Sequence, residues 1–161
     1  VRRAVWRKAV FQSAQRGDNA GLTAGLSYRF ATGRADSVGG VARLATTRSG
    51  TVPDVRLMGD ETGDRWGVTL EGWIQVPADA IYEFSLSSDD GSVLWIDDQR
   101  VVDNDGYHAA EPKQGLAPLR TGLHRIKVVV FQGGGAASLS LGWRREGDPG
   151  FINVAGGHLW H

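Results

Sequence analysis

Residues 82–108 read YEFSLSSDDGSVLWIDDQRVVDNDGYH, and this stretch decides the fold class. Tyr82, Phe84 and Leu86 alternate with polar residues, which puts them on one face of an extended strand. In the next piece Val93 and Trp95 fall opposite Leu94 and Ile96. The strand-like pieces stop at Asp89-Asp90-Gly91, Asp97-Asp98 and Asp103-Asn104-Asp105-Gly106. Asp, Asn and Gly suit turn backbones, and clustered carboxylates also offer the oxygen atoms that hard cations prefer. Solvated turns and a cation site both satisfy this composition.

The same period continues outward. In RWGVTLEGWIQV, Trp66, Val68, Leu70, Ile74 and Val76 share a face opposite Thr69, Glu71, Trp73 and Gln75, and Pro77 then blocks further pairing. RIKVVVF groups Ile126, Val128 and Val130, and SLSLGW groups Leu139, Leu141 and Trp143, with Gly133 to Gly135 between the two. Leu26, Tyr28 and Phe30 mark a first strand, whereas Arg34 to Asp64 reads as loop with one strand at most, its short apolar piece being Val41 to Leu44. Trp66, Trp95 and Trp143 follow the inward alternation, and Trp73 stands on the other face. Short strands, few helical windows and turns rich in Gly and Asp predict an all-β fold, an antiparallel β-sandwich of jelly-roll type with long loops. Residues 1–20 read as a linker or edge segment and residues 21–161 as the sandwich domain.

The chain has 161 residues, enough to bury a core without disulfides. Its 18 basic and 18 acidic side chains balance, which argues against a nucleic-acid partner, since phosphate binding needs a basic excess on one face. The basic residues Arg2, Arg3, Arg7 and Lys8 are the nearest approach to such a stripe. Without cysteine, oxygen and imidazole are the remaining metal ligands. No segment approaches the roughly 18 apolar residues of a membrane span. A start of VRRAVWRKAV, with neither initiator methionine nor signal-peptide core, suggests a piece of a longer, exported protein that acts in an extracellular or periplasmic space.

Enzyme signatures are absent: there is no GxSxG elbow, no HExxH helix and no phosphate-binding GxxxxGK[ST] loop. An EF-hand around Asp103 and Asp105 fails, because Val101 and Pro112 would stand where the loop needs carboxylates. Aspartates in Gly-containing turns lack the apolar pocket that keeps a glycosidase acid protonated. The expectation is a module that binds and does not catalyse.

The string SSDDGSVLWIDDQRVVDNDGYH, with EGWIQVPADAIYEF before it and GLHRIKVVVFQGGGAASLSLGW after it, resembles the anthrax-protective-antigen-type (PA-fourteen) domain over about Gly25 to Trp160. That family comprises β-sandwiches of adhesins and glycosidases, many of which bind sugars through calcium. The resemblance implies a cis peptide that turns the Asp89 and Asp90 carboxylates toward one calcium ion, with Gly91 at the tight exit. It implies further ligands from the turn after a late strand: the Gln132 side chain and the Gly134 and Ala136 carbonyls. Asp89, Asp90 and Gln132, with Tyr107 and His108 from the DNDGYH string, are then the candidate sugar-contacting residues, His108 alternatively capping its loop. The loop from Gly106 to Gly115 is the expected contributor to specificity. The implied function is calcium-dependent carbohydrate binding, with mono- or oligosaccharides or glycan termini as partners, by an accessory module of a glycoside hydrolase or adhesin. A catalytic domain would lie in the parent chain. The alternative is a structural or protein-interaction sandwich that packs on such a domain and binds no sugar.

Overall fold

The computed structural model describes residues 9–61 and 63–161 of the protein. The basic stretch Arg2 to Lys8 lies outside the described residues. Among the described residues eleven strands follow in order: β1 (Leu26–Thr32), β2 (Thr46–Val52), β3 (Trp66–Val76), β4 (Ala80–Asp89), β5 (Ser92–Ile96), β6 (Gln99–Asn104), β7 (Glu111–Leu119), β8 (Gly122–Gln132), β9 (Ser138–Arg145), β10 (Ile152–Asn153) and β11 (Leu159–Trp160). One helical turn, α1 (Val38–Val41), separates β1 from β2. The larger sheet has the order β2-β1-β3-β8-β5-β6, and β11 pairs β3 beyond the end of β1. The smaller sheet has the order β10-β9-β4-β7. Every pairing between these strands is antiparallel. No helix among the described residues is long and apolar enough to cross a membrane.

The residues that the alternation groups on one face of β3, β4, β8 and β9 are the ones that meet the core. Trp66, Val68, Leu70, Ile74 and Val76 of β3, with Leu94, Ile96, Ile126, Val128 and Val130, face Tyr82, Phe84, Leu86, Leu119, Leu141 and Trp143 of the smaller sheet in one core. Full burial of such a side chain stabilises by about 1.5–3 kcal/mol, so the paired inner faces hold the two layers together. Tyr82 stacks on Trp143 at 5.3 Å between ring centroids. The outer face of the larger sheet carries a smaller cluster, in which Val129 and Phe131 are covered by Ala35 and Val41.

The one strand allowed between Arg34 and Asp64 is present as β2, and two other expectations are corrected. The apolar piece Val41 to Leu44 lies outside that strand: Val41 ends α1, packs in the outer cluster and sits where a side chain on Gly67 would stand, 2.6 Å away. The strand of this region is β2, whose sequence TTRSGTV escapes notice because it is an edge strand with a mostly exposed burial pattern. Residues 111–115 belong not to a loop but to β7, an edge strand that tolerates Pro112 and Pro118. Trp95 points outward with Lys127, its partner on β8, while its neighbours Leu94 and Ile96 face the core.

Candidate functional site

β4 ends at Asp89, and the peptide bond from Asp89 to Asp90 is cis. The chain then crosses the 106 backbone at Gly91, where an added Cβ would lie 2.6 Å from the Gly106 nitrogen and 2.6 Å from the Phe131 ring. Only glycine fits this crossing.

The sequence places Asp89 and Asp90 in an exposed turn; the structure buries Asp90 to 8% exposure. Its Oδ1 accepts from the His108 amide at 3.2 Å and its Oδ2 from the Gly133 amide at 2.9 Å. One carboxylate thus joins the loop after β6 to the glycine turn after β8. The Asp90 amide donates to Gln132 Oε1 at 3.2 Å. Gln132, 2% exposed, turns its Nε2 to the carbonyls of Gly135 (3.0 Å) and Ala136 (2.6 Å). Asp90, Gln132 and Ala136 are therefore brought together, and Gly134 lies inside the same turn at φ +138. The Asp89 side chain is half-buried, and among the described residues its carboxylate takes part in no hydrogen bond.

Below this layer lies a polar floor that periodicity does not reveal. Ser88 Oγ donates to the Asp90 carbonyl at 2.6 Å and lies 2.6 Å from Ser92 Oγ, while the buried Asn104 donates to the Glu111 carbonyl at 2.9 Å and the Leu86 carbonyl at 3.3 Å. Asn104 thereby fixes the start of the loop that carries Tyr107 and His108. Asp103 belongs to β6, and its Oδ1 accepts from the Asp105 amide at 3.1 Å in a local turn.

His108 caps its own loop: Nε2 meets the Asn104 carbonyl and Nδ1 the Ala109 carbonyl, each at 2.8 Å. Burial opposes its charge, but those two carbonyls, helped by Glu111 and Asp90, hold its pKa above the ordinary value. With both nitrogens engaged, a ligand would meet this ring by its carbon face. Tyr107 is exposed, sets its ring edge-on to Phe131 at 5.3 Å and donates its hydroxyl to Asp36. The hydrogen bond from Tyr107, followed by that from Arg34, holds the Asp36 carboxyl below its usual range. Asp36 and Arg34 are site neighbours that sequence reasoning missed, because they come from the irregular stretch between β1 and α1. A groove of about 620 Å³ opens here, walled by Arg34, Asp64, Arg65 and Gly133 to Gly135.

The side-chain and carbonyl donors brought together at this apex are oxygens: the Asp90 carboxylate, the Gln132 amide and the Gly135 and Ala136 carbonyls, with Asp89 next in the chain. That chemistry fits a hard cation such as calcium, which takes about six to eight oxygen ligands. Among the described residues no three histidine or carboxylate side chains converge, so a cation here would draw on amide and carbonyl oxygens.

A PA14 domain family model matches residues 18–155. A curated relative, a β-hexosaminidase of Porphyromonas gingivalis, is 28% identical over 122 residues, which cover 68% of this chain and 15% of that protein. The chain thus spans a small part of that relative's length. Among solved structures, the PA14 sugar-binding domain from an RTX adhesin superposes with a TM-score of 0.74 at 20% identity, covering 86% of this chain and 98% of that one. The epithelial adhesin 9 A domain of Candida glabrata, solved in complex with Galb1-3GlcNAc, gives 0.73 at 8% identity, covering 94% and 96%. With a family model matching residues 18–155, this chain belongs to the PA14 domain family.

Proposed function

We propose that this domain binds carbohydrate at the apex formed by Asp89, Asp90, Gln132 and the 133–136 turn, through a calcium ion held there. The observation that carries the reading is the convergence of three chain segments on one carboxylate: Asp90 accepts amides from both the His108 loop and the glycine turn. This leaves Asp89 beside it with no internal hydrogen bond. Asp89, Asp90, the Gln132 amide and the Gly134 and Ala136 carbonyls are the proposed ligands. A bound calcium ion supplies open positions for vicinal sugar hydroxyls. The protein's own part is to orient the carboxylates, to present the groove beside Arg34 and Arg65, and to offer the Tyr107 ring and the carbon face of His108 as walls. The sugar-binding descriptions of two superposable adhesin domains and the β-hexosaminidase relative support the assignment. By the same reasoning the domain is a non-catalytic module of a longer glycan-processing or adhesive protein working outside the cytoplasm.

Calcium should raise the melting temperature, since a ligand specific to the folded state stabilises by mass action. The titration should reach 10 mM, about ten times the weak limit of extracellular sites. Asp89→Asn is the discriminating variant: its unliganded stability should match the parent, while the calcium shift and calcium-dependent retention on a glycan array disappear. An unchanged melting temperature over the whole titration would sink the proposal.

A further inference from the structure

The outer face of the larger sheet holds a second cleft that the apex does not use. Its walls are two indoles, Trp73 on β3 and Trp95 on β5, with Arg125 and Lys127 of β8 between them. The registers are direct: Trp73 pairs with Arg125, and Lys127 pairs with both Glu71 and Trp95. The Arg125 guanidinium lies 4.9 Å from the Trp73 ring centre and the Lys127 ammonium 5.4 Å from that of Trp95. These cations, with Arg16 at 5.8 Å from the Trp73 ring centre, lie over the indoles and fix them. Glu71 and Asp98 add acceptors on the rim.

We propose that this cleft is a second saccharide-binding site, independent of any metal and separate from the apex. Four features select the ligand class. The cleft measures about 280 Å³, near the lower end of small-molecule pockets at about 300 Å³. Its rim carries two cations, Arg125 and Lys127, against two carboxylates, Glu71 and Asp98, so it favours a neutral ligand over an ion of either sign. Donors and acceptors stand around aromatic walls, and that combination suits a molecule with an apolar C–H face and a hydroxylated edge. A sugar ring is such a molecule. Finally, Lys127 and Arg125 precede Gln132 by five and seven residues on β8, which at about 3.3 Å per residue sets the cleft about 17–23 Å from the apex. One saccharide unit cannot span both places, so the domain can engage two points of a branched or extended glycan.

The test uses the full 161-residue chain in EDTA, with N,N′-diacetylchitobiose, cellobiose and lactose as probes and the indole N–H resonances of Trp73 and Trp95 as the readout. At least one probe should shift both resonances, equally in the parent and in Asp89→Asn. Trp95→Ala should weaken binding about tenfold, the loss expected for ~1.4 kcal/mol of stacking. Asp98→Asn, which keeps the shape of the turn, should weaken it severalfold with an unchanged melting temperature. Three results would overturn the proposal: no shift with any probe, shifts confined to residues around Asp90 and Gln132, or binding that Asp98→Asn and Trp95→Ala leave intact. Because calcium is absent throughout, failure here leaves the apex reading standing, and failure of the apex leaves this site standing.

Discussion

Two aspartate pairs flank β5, Asp89-Asp90 before it and Asp97-Asp98 after it, and they do opposite things. At the later pair both residues adopt left-handed backbone, φ 50 and 62, in a two-residue hairpin turn between β5 and β6. The Asp97 carboxylate is used up internally. Its Oδ1 accepts from the Arg125 amide and from Gln15, each at 2.9 Å, and its Oδ2 meets His124 Nδ1 at 2.6 Å. At the earlier pair Asp90 accepts only backbone amides, and Asp89 is left uncommitted. The same dipeptide is therefore a closed structural knot in one place and an open oxygen site in the other. What differs is the element facing it: a buried imidazole at one end of β8, a glycine turn at the other.

The sharpest way to break this comparison is to remove the imidazole. His124 is fully buried, and its second nitrogen lies 2.8 Å from the Arg120 carbonyl. Both ring nitrogens face acceptors, an arrangement that favours the doubly protonated imidazolium. Burial opposes that charge, but Asp97 and the Arg120 carbonyl outweigh it and raise the pKa. His124→Ala leaves a buried carboxylate without its partner and should cost about 3–5 kcal/mol in urea unfolding. The pH dependence has a definite sign. A raised folded pKa means that the contribution is complete below the unfolded value of about 6.5 and fades as pH rises through the folded value. The parent should lose stability over that window, and His124→Ala should keep only the part of the slope that His108, whose pKa is also raised, contributes. A parent whose unfolding midpoint is flat or rises there would show that His124 is neutral.

Next in size is Gly91. An added Cβ would meet backbone as well as the Phe131 ring, and backbone cannot swing aside. Gly91→Ala should therefore cost about 2–3 kcal/mol, in the range of overpacked cores. It should also displace the His108 loop, visible as shifted Tyr107 and His108 resonances. A variant as stable as the parent would mean that the crossing with Gly106 is loose.

The sandwich was legible wherever a strand has one buried face. β4 and β9 alternate because one sheet face meets the core, and the core-facing residues of β3 and β8 keep the same period although their ends are covered on the outer face as well. β2 and β7 were not legible, since edge strands may be polar and may carry proline. Trp95 misled for a related reason: hydrophobicity marks a face as apolar and does not say which of two faces is the core. At the apex, the family resemblance pointed to Asp90 and Gln132, but nothing in the sequence pointed to the burial of Asp90 or to Asp36, Ser88 and Ser92. Those contacts join segments far apart in the chain, for which a single sequence carries no periodic signal.

A smaller effect separates the two members of the earlier pair. Asp90→Ala strands the His108 and Gly133 amides, and each sits in a half-buried loop. The metal-free variant should lose roughly 1–2 kcal/mol, the lower part of the range for unsatisfied partly buried donors. Asp89→Asn should lose nothing measurable, because no internal hydrogen bond is removed. Equal losses at the two positions in calcium-free thermal melts would erase the division between an architectural and a ligand-facing aspartate.

The smallest effect belongs to the hairpin. Asp98 holds φ 62 and is exposed, and left-handed backbone costs an ordinary L-residue roughly 1–2 kcal/mol. Glycine removes that cost, but its freer unfolded chain gives back about 0.4–1 kcal/mol. Asp98→Gly should then stabilise by roughly 0.5 kcal/mol, the balance of those two terms. The same substitution at Asp97 should destabilise instead, since it discards the carboxylate that binds His124 and the Arg125 amide. Urea midpoints moving in opposite directions for two adjacent, equally left-handed aspartates would separate turn geometry from carboxylate chemistry; midpoints moving together would show that the backbone alone governs this turn.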